Sequence, residues 1–169
     1  TGAASGAAFD ALARKDAKVG ALIGTGGQAA TQLEAMLCAR NLETVRIFDL
    51  DPERLNAFVE RMRQELGSYG AELIAAASSD EAVEGADILV TMTPSLKPVF
   101  NADKVKPGCT VSCVGAYQPH MQEMDPKILP RASKIYFDSQ SAVLAESGDI
   151  IIPLNAVSYT HLRAHETRR

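Results

Sequence analysis

The sequence predicts an α/β fold in a single domain, built on a doubly wound, mainly parallel β-sheet. Short apolar runs with strand propensity alternate along the chain with segments whose apolar residues recur at helical spacing. The strand runs are apolar on both faces, which is typical of parallel strands covered by helices on both sides. A chain of 169 residues, 46% of them hydrophobic, is long enough for one packed core and too short for two large domains.

The first half of the chain predicts three strands, each preceded by a helix. Asp51 is placed to cap the third helix, with Pro52 at its first position and Gly67 at its end. In order, the predicted elements are a helix over 9–15, a strand over 18–23, a helix over 29–40, a strand over 45–48, a helix over 52–66 and a strand over 73–76.

The second half continues the alternation. Ser78 and Glu81 have capping-box spacing and predict a short helix that Gly85 ends. Asp125 and Pro126 predict the start of a later helix. The strands predicted in this half are the fourth over 88–90, the fifth over 110–114 after a Pro107-Gly108 turn, and a sixth over 134–137.

A glycine-rich segment joins the first predicted strand to the following helix. It reads Gly24-x-Gly26-x-x-Ala29, in the strand-to-helix context of the dinucleotide-binding fingerprint of Rossmann folds. Gly24 permits the tight turn, Gly26 lets a pyrophosphate approach the backbone, and Ala29 allows the helix to pack on the strand. The helix N-terminus offers N–H groups and partial positive charge to phosphates. The residues expected to contact a cofactor here are Gly24, Thr25, Gly26, Gly27 and Gln28.

Asp49, at the end of the second predicted strand, indicates which dinucleotide is bound. An acid ~20 residues past the fingerprint accepts hydrogen bonds from the adenosine ribose. A carboxylate there also repels the 2′-phosphate of NADP. No arginine follows Asp49 immediately, and we interpret Arg54 on the next helix as a solvated residue. The sequence therefore favours NAD over NADP.

Two other interpretations of the glycine segment stay open. It can be a structural turn without a ligand, or the fingerprint and acid can bind S-adenosylmethionine in a methyltransferase. Two features favour a dinucleotide over S-adenosylmethionine: the small residue Ala29, and a sixth parallel strand over 134–137 where methyltransferases usually turn antiparallel.

Charge and composition argue against several other classes. Lys and Arg number 17 against 21 Asp and Glu, a net charge of −4, so a nucleic-acid partner is not expected. No apolar run approaches the ~18 residues of a membrane-spanning helix. Three cysteines suit reduced thiols in a cytoplasmic protein, and the spacing of Cys109 and Cys113 along a strand is too wide to share a metal ion.

The reacting end of a dinucleotide is expected after strands four and five, because ligands of doubly wound sheets lie at the carboxyl ends of the strands. Thr91 and Thr93 alternate in an extended segment and can both direct a hydroxyl toward the cofactor, although threonine is also a common strand residue. His120 is the only histidine before the last 15 residues. It is a candidate proton donor, although a loop histidine is often only solvated.

These residues together resemble the ornithine cyclodeaminase/mu-crystallin family over nearly all of residues 1–154. The resemblance implies an NAD-binding domain in which Val114 and Gly115 also contact the cofactor. It is carried by residues 1–5, residues 23–29 with Gln32, Ala86-Asp87-Ile88 leading to Thr91 and Thr93, Pro107-Gly108, Val114-Gly115, and residues 146–149.

The resemblance implies hydride transfer at the α-carbon of a small amino acid or cyclic imine. In the cyclodeaminases, NAD⁺ takes hydride from ornithine, the side-chain amine attacks the resulting imine, ammonia leaves, and the hydride returns to give proline. Relatives instead dehydrogenate amino acids or reduce cyclic imines. Mu-crystallins can bind nucleotide and small ligands without turnover, so a non-catalytic nucleotide-binding protein is the alternative hypothesis.

The sequence departs from the family pattern at Ala116. Cyclodeaminases carry an aspartate after the glycine that matches Gly115, where it acts as a general base, and alanine cannot accept a proton. Ornithine cyclodeaminase chemistry is therefore in question. Tyr117 and His120 are the candidates within the chain for that role.

The resemblance also divides the chain. Residues 1–17 correspond to a helix leading in from a substrate and dimerisation domain, and residues 18–154 to the nucleotide-binding domain. We therefore expect the chain to be part of a longer, homodimeric protein. Residues 155–169 carry three arginines, His161 and His165 against one acid, and from Ser158 onward they look like translated adapter sequence. We expect this tail to be non-native.

Overall fold

The computed structural model describes residues 1–156, which form six α-helices, five β-strands and three short 3₁₀ segments. The helices are α1 (Gly2–Leu12), α2 (Ala29–Ala39), α3 (Pro52–Leu66), α4 (Ser79–Val83), α5 (Gln140–Glu146) and α6 (Gly148–Asn155). The strands are β1 (Val19–Ile23), β2 (Thr44–Phe48), β3 (Glu72–Ala75), β4 (Ile88–Thr91) and β5 (Thr110–Cys113). The 3₁₀ segments are Gly67–Tyr69, Ala102–Lys104 and Pro126–Arg131.

The five strands form one parallel sheet in the order β3-β2-β1-β4-β5. The chain first builds outward from β1 to β3, then returns to place β4 and β5 on the other side of β1. This reversal creates a crevice at the carboxyl ends of β1 and β4, where doubly wound sheets bind their ligands. The predicted α/β fold class, with its parallel Rossmann-type sheet, is confirmed.

Two apolar clusters cover the two faces of the sheet. Leu22 of β1 packs with Phe9, Met36 and Phe58 of the helices on one face. Its neighbour Ile23 belongs to the cluster on the other face. Successive side chains of a strand point to opposite faces, so a strand buried on both faces must be apolar at every position. The other members of the second cluster include Val83, Leu89, Phe100, Val105, Met124, Leu129 and Ile150.

Side-chain caps fix the starts of α3 and α4 as the sequence predicts. The Asp51 carboxylate accepts hydrogen bonds from the backbone N–H groups of Glu53 and Arg54, each at 3.1 Å. The Ser78 hydroxyl accepts the N–H of Glu81 at 3.1 Å. These bonds satisfy donors that the first helical turn would otherwise leave without a partner.

Arg40 determines where α1 ends. Its guanidinium is buried and donates to the backbone carbonyls of Asp10, Ala13 and Arg14, at 2.9, 2.7 and 2.9 Å. These carbonyls lie in and just beyond the last turn of the helix, so a side chain distant in sequence satisfies them. The helix predicted over 9–15 lies at Gly2–Leu12, so it begins earlier and ends earlier than the apolar spacing indicated.

Residues 134–137 do not form the predicted sixth strand. They carry no regular secondary structure, and Tyr136 and Phe137 are 58% and 38% exposed. The residues have strand propensity but pair with no edge of the sheet, and propensity alone does not form a strand. The argument against a methyltransferase that used this strand is therefore wrong. The helix predicted after Asp125 is the 3₁₀ segment Pro126–Arg131.

No helix within the described part of the chain is long and apolar enough to cross a membrane. The tail expected to be non-native, including His161 and His165, lies outside the described residues except for Asn155 and Ala156.

Candidate nucleotide-binding site

The loop after β1 must carry a glycine at position 24. The backbone of Gly24 has φ of 99°, a left-handed conformation that residues with a side chain rarely adopt. A Cβ atom there would also lie 2.9 Å from the carbonyl oxygen of Met92. The loop after β1 and the loop after β4 thus touch at the crevice.

Gly26 and Gly27 lie in the same loop but have no such requirement. Both are exposed and neither has positive φ. A Cβ atom on either would meet no atom of the described part of the chain within 4 Å. Gln28 precedes α2 without a side-chain capping bond, and the first turn of α2 contains no acidic residue. The N-terminus of α2 is therefore open to an anion, which its N–H groups and dipole favour.

Asp49 follows β2 and is nearly buried, with 8% of its surface exposed. Its Oδ2 accepts the N–H of Thr25 at 2.8 Å and the hydroxyl of Thr25 at 2.7 Å. Its Oδ1 accepts the N–H of Asp51 at 3.0 Å and a guanidinium N–H of Arg54 at 2.5 Å. Burial alone would raise the pKa of Asp49, but these hydrogen bonds outweigh it and lower the pKa to about 2. The group is therefore a carboxylate at neutral pH.

Arg54 is more than a solvated residue, which corrects the sequence interpretation. Its guanidinium forms an ion pair with Asp49 while its side chain stays 57% exposed. One turn into α3 places it close to the end of β2, a proximity that helical spacing from the Asp51 cap could have indicated.

Thr91 is the last residue of β4, and Thr93 lies two residues beyond it. Thr91 is fully buried and Thr93 is partly buried, and the hydroxyl oxygens of both are buried. Neither hydroxyl therefore points into the open crevice. Thr93 instead contributes its backbone and its methyl group, which would lie 3.0 Å from a Cβ atom on Gly24.

The loop after β5 lies beside the loop after β4. Val114 donates its N–H to the carbonyl of Thr91 at 2.9 Å, which continues the strand pairing, and Val114, Gly115 and Ala116 are partly buried. Tyr117 is 64% exposed and His120 is also exposed. The two candidate proton donors thus lie on the surface of this loop, exposed to solvent.

The structure adds a residue that the sequence reasoning missed. Glu123 is completely buried, and its carboxylate accepts the backbone N–H groups of Thr93 and Gly115, the latter at 2.6 Å. Burial raises the pKa of Glu123, against the lowering effect of these two donors. A glutamate in a polar loop is usually solvated. The signals in the sequence were Met121 and Met124 on either side, which are both buried.

The described residues contain no group of three or more His, Cys, Asp or Glu side chains that could hold a metal ion. Burial raises the pKa of Cys109 to about 12 and that of Cys113 well above its ordinary value. Both are thiols at neutral pH, and a thiol is a poor nucleophile.

A comparison with known protein families identifies the family to which this chain belongs. A model described as "Ornithine cyclodeaminase/mu-crystallin family" matches residues 1–165. The chain belongs to this family. The resemblance found in the motifs is confirmed, and the methyltransferase interpretation is excluded by this membership.

Family relatives cover the chain nearly from end to end. A Delta(1)-pyrroline-2-carboxylate reductase from Bacillus cereus is 36% identical over 91% of this chain and 46% of its own length. The solved structure of the Thermococcus litoralis Delta(1)-pyrroline-2-carboxylate reductase, in complex with NADH and L-proline, is 39% identical with a TM-score of 0.87, covering 93% of this chain and 47% of that one. An archaeal alanine dehydrogenase dimer with bound NAD is 33% identical with a TM-score of 0.83, covering 92% and 47%. The chain thus spans about half the length of these relatives.

Proposed function

We propose that this chain is the NAD-binding half of an oxidoreductase that transfers hydride at the α-carbon of a small amino acid or cyclic imine. The observation that carries the proposal is the pair Gly26 and Gly27. Neither backbone conformation nor packing against residues 1–156 requires glycine there. A ligand lying against the backbone does require it, and a pyrophosphate at the open N-terminus of α2 meets that description.

The residues around the crevice fit a dinucleotide. The loop over residues 24–28 would bind the pyrophosphate, Asp49 the adenosine ribose, and the segments at Thr93 and Gly115 the nicotinamide end. The bound dinucleotide would supply the chemistry of hydride acceptance and donation. The protein residues bind it, orient it and close the floor of the crevice.

Asp49 can accept the ribose hydroxyls only if one of its present partners moves. Each carboxylate oxygen already accepts two hydrogen bonds, which uses all of the ~4 lone-pair positions of the group. The N–H groups of Thr25 and Asp51 are fixed by the backbone, and the Thr25 hydroxyl belongs to a side chain that is buried. The half-exposed side chain of Arg54 is the partner that is free to swing away. We propose that the ribose takes its place.

Reduction or dehydrogenation is favoured over cyclodeamination. Ala116 stands at the position where cyclodeaminases carry an aspartate. Glu123 lies seven residues further on, but it is completely buried and both of its oxygens accept backbone N–H groups, so it does not replace that base. The named activities of the relatives, pyrroline-2-carboxylate reduction and alanine dehydrogenation, support the same choice. Tyr117 and His120 are the proposed proton donors.

The substrate-binding residues and the dimer contacts are proposed to lie in a further domain of the full-length protein, which we place in the cytoplasm. The lengths of the relatives support the proposal of a further domain, since about half of each relative lies outside the match. The alanine dehydrogenase relative was solved as a dimer.

Binding to residues 1–156 is the first test. Thermal unfolding is followed with NAD⁺, NADP⁺ and S-adenosylmethionine, for the wild type and for Asp49→Ala. Asp103→Ala serves as an exposed control, since the ion pair of Asp103 with Lys127 spans 3.7 Å. Ligand at a hundredfold excess over Kd stabilises the folded state by about 2.7 kcal/mol. We expect stabilisation by NAD⁺ that Asp49→Ala removes and Asp103→Ala keeps. No stabilisation by any of the three ligands would contradict the proposal.

Catalysis is tested on the full-length protein. NADH oxidation is measured with a cyclic imino acid and with a 2-oxo acid plus ammonia, and NAD⁺-dependent proline formation is measured with ornithine. We expect NADH oxidation to dominate. NAD⁺ binding without hydride transfer to any of these substrates would instead support a nucleotide-binding protein without turnover.

A further inference from the structure

Glu123 joins the ends of two neighbouring strands. The last paired residues of β4 and β5 are Thr91 and Cys113. Thr93 and Gly115 each come two residues later, and both donate their backbone N–H groups to the Glu123 carboxylate, one to each oxygen. The carboxylate therefore continues the connection between the strands beyond the point where the ladder stops.

Glu123 is itself held at its backbone. Its N–H donates to the carboxylate of Asp149 at 2.7 Å, and its carbonyl accepts the N–H of Val99 at 2.8 Å. The same oxygen of Asp149 accepts the N–H of Met124 at 2.8 Å. Asp149 is 3% exposed and lies in the first turn of α6. The backbone of Glu123 is thus held by two other segments of the chain, one at Val99 and one at Asp149.

The arrangement reaches the phosphate loop through Thr93. The methyl carbon of Thr93 lies 3.0 Å from where a Cβ atom on Gly24 would stand, so the loop after β1 packs directly against it. On the other side, Glu123 fills the space next to Gly115, leaving no room for a side chain there. A shift of the Glu123 carboxylate would move the segments at Thr93 and Gly115, which line the inner end of the crevice. The open N-terminus of α2 lies further away, at the far end of the loop after β1.

We propose that Glu123 is a positioning residue for the nicotinamide half of the dinucleotide, acting through the backbones of Thr93 and Gly115. The proposal rests on the proposed NAD binding and assigns the two halves of the cofactor to different residues. Residues 24–28 and Asp49 bind the ADP-ribose half of the cofactor. Glu123 sets the separation and orientation of the two segments that receive the nicotinamide half.

The test compares NAD⁺ with ADP-ribose, which lacks the nicotinamide. Glu123→Gln keeps the size of the side chain but turns one acceptor oxygen into a donor group that faces a backbone N–H. A buried donor left without an acceptor is unfavourable, so the two segments would be displaced. We expect the variant to bind NAD⁺ about tenfold more weakly, which corresponds to ~1.4 kcal/mol, with affinity for ADP-ribose unchanged. Glu65→Gln, on the exposed side of α3, should change neither affinity.

The outcomes separate the two proposals. If the wild type binds neither ligand, the proposed function is wrong and this inference with it. If the wild type binds NAD⁺ and ADP-ribose equally, or if Glu123→Gln weakens both equally, NAD binding stands and the positioning role is overturned.

A second measurement does not depend on the variant folding. In the wild type, the amide resonances of Thr93 and Gly115 are followed by NMR as each ligand is added. NAD⁺ should shift both resonances, whereas ADP-ribose should shift the amide of Gly26 and leave those of Thr93 and Gly115 in place. Equal shifts of Thr93 and Gly115 with the two ligands would overturn the proposal.

Discussion

The Cδ atom of Glu123 lies 2.6 Å from the position that a Cβ atom on Gly115 would occupy. The backbone nitrogen of Thr93 lies 2.5 Å from the same position. The glycine two residues after β5 is therefore explained by its neighbours inside the protein. In this respect Gly115 differs from Gly26, which no other group among residues 1–156 restricts.

Replacing Gly115 by alanine should destabilise the fold. The new methyl group would overlap Glu123 and the backbone of Thr93, and overpacking of this kind costs ~1–3 kcal/mol, occasionally more. We expect a loss of at least ~2 kcal/mol in the free energy of unfolding, since backbone atoms cannot move away as a flexible side chain can. Urea denaturation measures this loss. The control is Gly67→Ala at the end of α3, where φ is −58° and the space is open, and its stability should stay within ~1 kcal/mol of the wild type.

Replacing Gly26 by alanine should leave the stability of the fold intact and weaken NAD⁺ binding. No atom of the described residues lies within 4 Å of the new methyl group and φ is not positive, so stability should stay the same or rise by up to ~1 kcal/mol. The methyl group would stand between the backbone and a pyrophosphate, so NAD⁺ affinity should fall about tenfold or more. Calorimetric titration measures it. Unchanged affinity would show that the pyrophosphate does not lie against residue 26.

The sequence predicted the succession of helices and strands along the chain up to β5. Burial on both faces of the sheet leaves a clear apolar pattern in β1 and β4. The failure at residues 134–137 has a physical cause. A run containing Ile135, Tyr136 and Phe137 has strand propensity, but a strand also needs an edge to pair with, and that is a tertiary property. In the structure Ile135 packs against the core while the two aromatic residues stay exposed.

The candidate site was predictable where function depends on glycine spacing, and less so where it depends on distant contacts. Gly24 and Asp49 could be placed because the fingerprint fixes the distance between a loop and a strand end. The flanking methionines could indicate that Glu123 is buried, but not which groups it binds, since those are backbone N–H groups 30 and 8 residues away. The pairing of Arg54 with Asp49 also depends on a rotamer that sequence does not specify.

Asp49 should make stability depend on pH in the acid range. Its pKa is lowered from 3.8 to about 2 in the folded state. Because the pKa is lower in the folded state, ionisation of Asp49 adds about 2 kcal/mol to the free energy of unfolding. This stabilisation is fully present above pH ~4 and is lost as the pH falls through ~2. Asn cannot ionise, so the stability difference between wild type and Asp49→Asn should shrink over this window. Chemical denaturation at several pH values measures it, and a difference that stays constant down to pH ~2 would contradict the assigned pKa.

Cofactor preference should depend on the Asp49–Arg54 pair. Asp49→Ser removes the carboxylate that repels a 2′-phosphate and releases the Arg54 guanidinium, which is half-exposed and can then pair with that phosphate. We expect the ratio of NADP⁺ to NAD⁺ affinity to rise by about tenfold or more, or ~1.4 kcal/mol.

The gain should require Arg54 in particular. In Asp49→Ser/Arg54→Ala the ratio should return toward the value of the wild type, because the guanidinium that pairs with the 2′-phosphate is gone. In Asp49→Ser/Arg61→Ala it should stay raised, since Arg61 lies on the same helix against Phe58 and serves as a control for total charge. Equal behaviour of the two double variants would mean that net charge, and not contact with Arg54, sets the preference. Contact is expected to decide because exposed charges beyond ~8–10 Å are largely screened at physiological salt, whereas a paired guanidinium and phosphate are not.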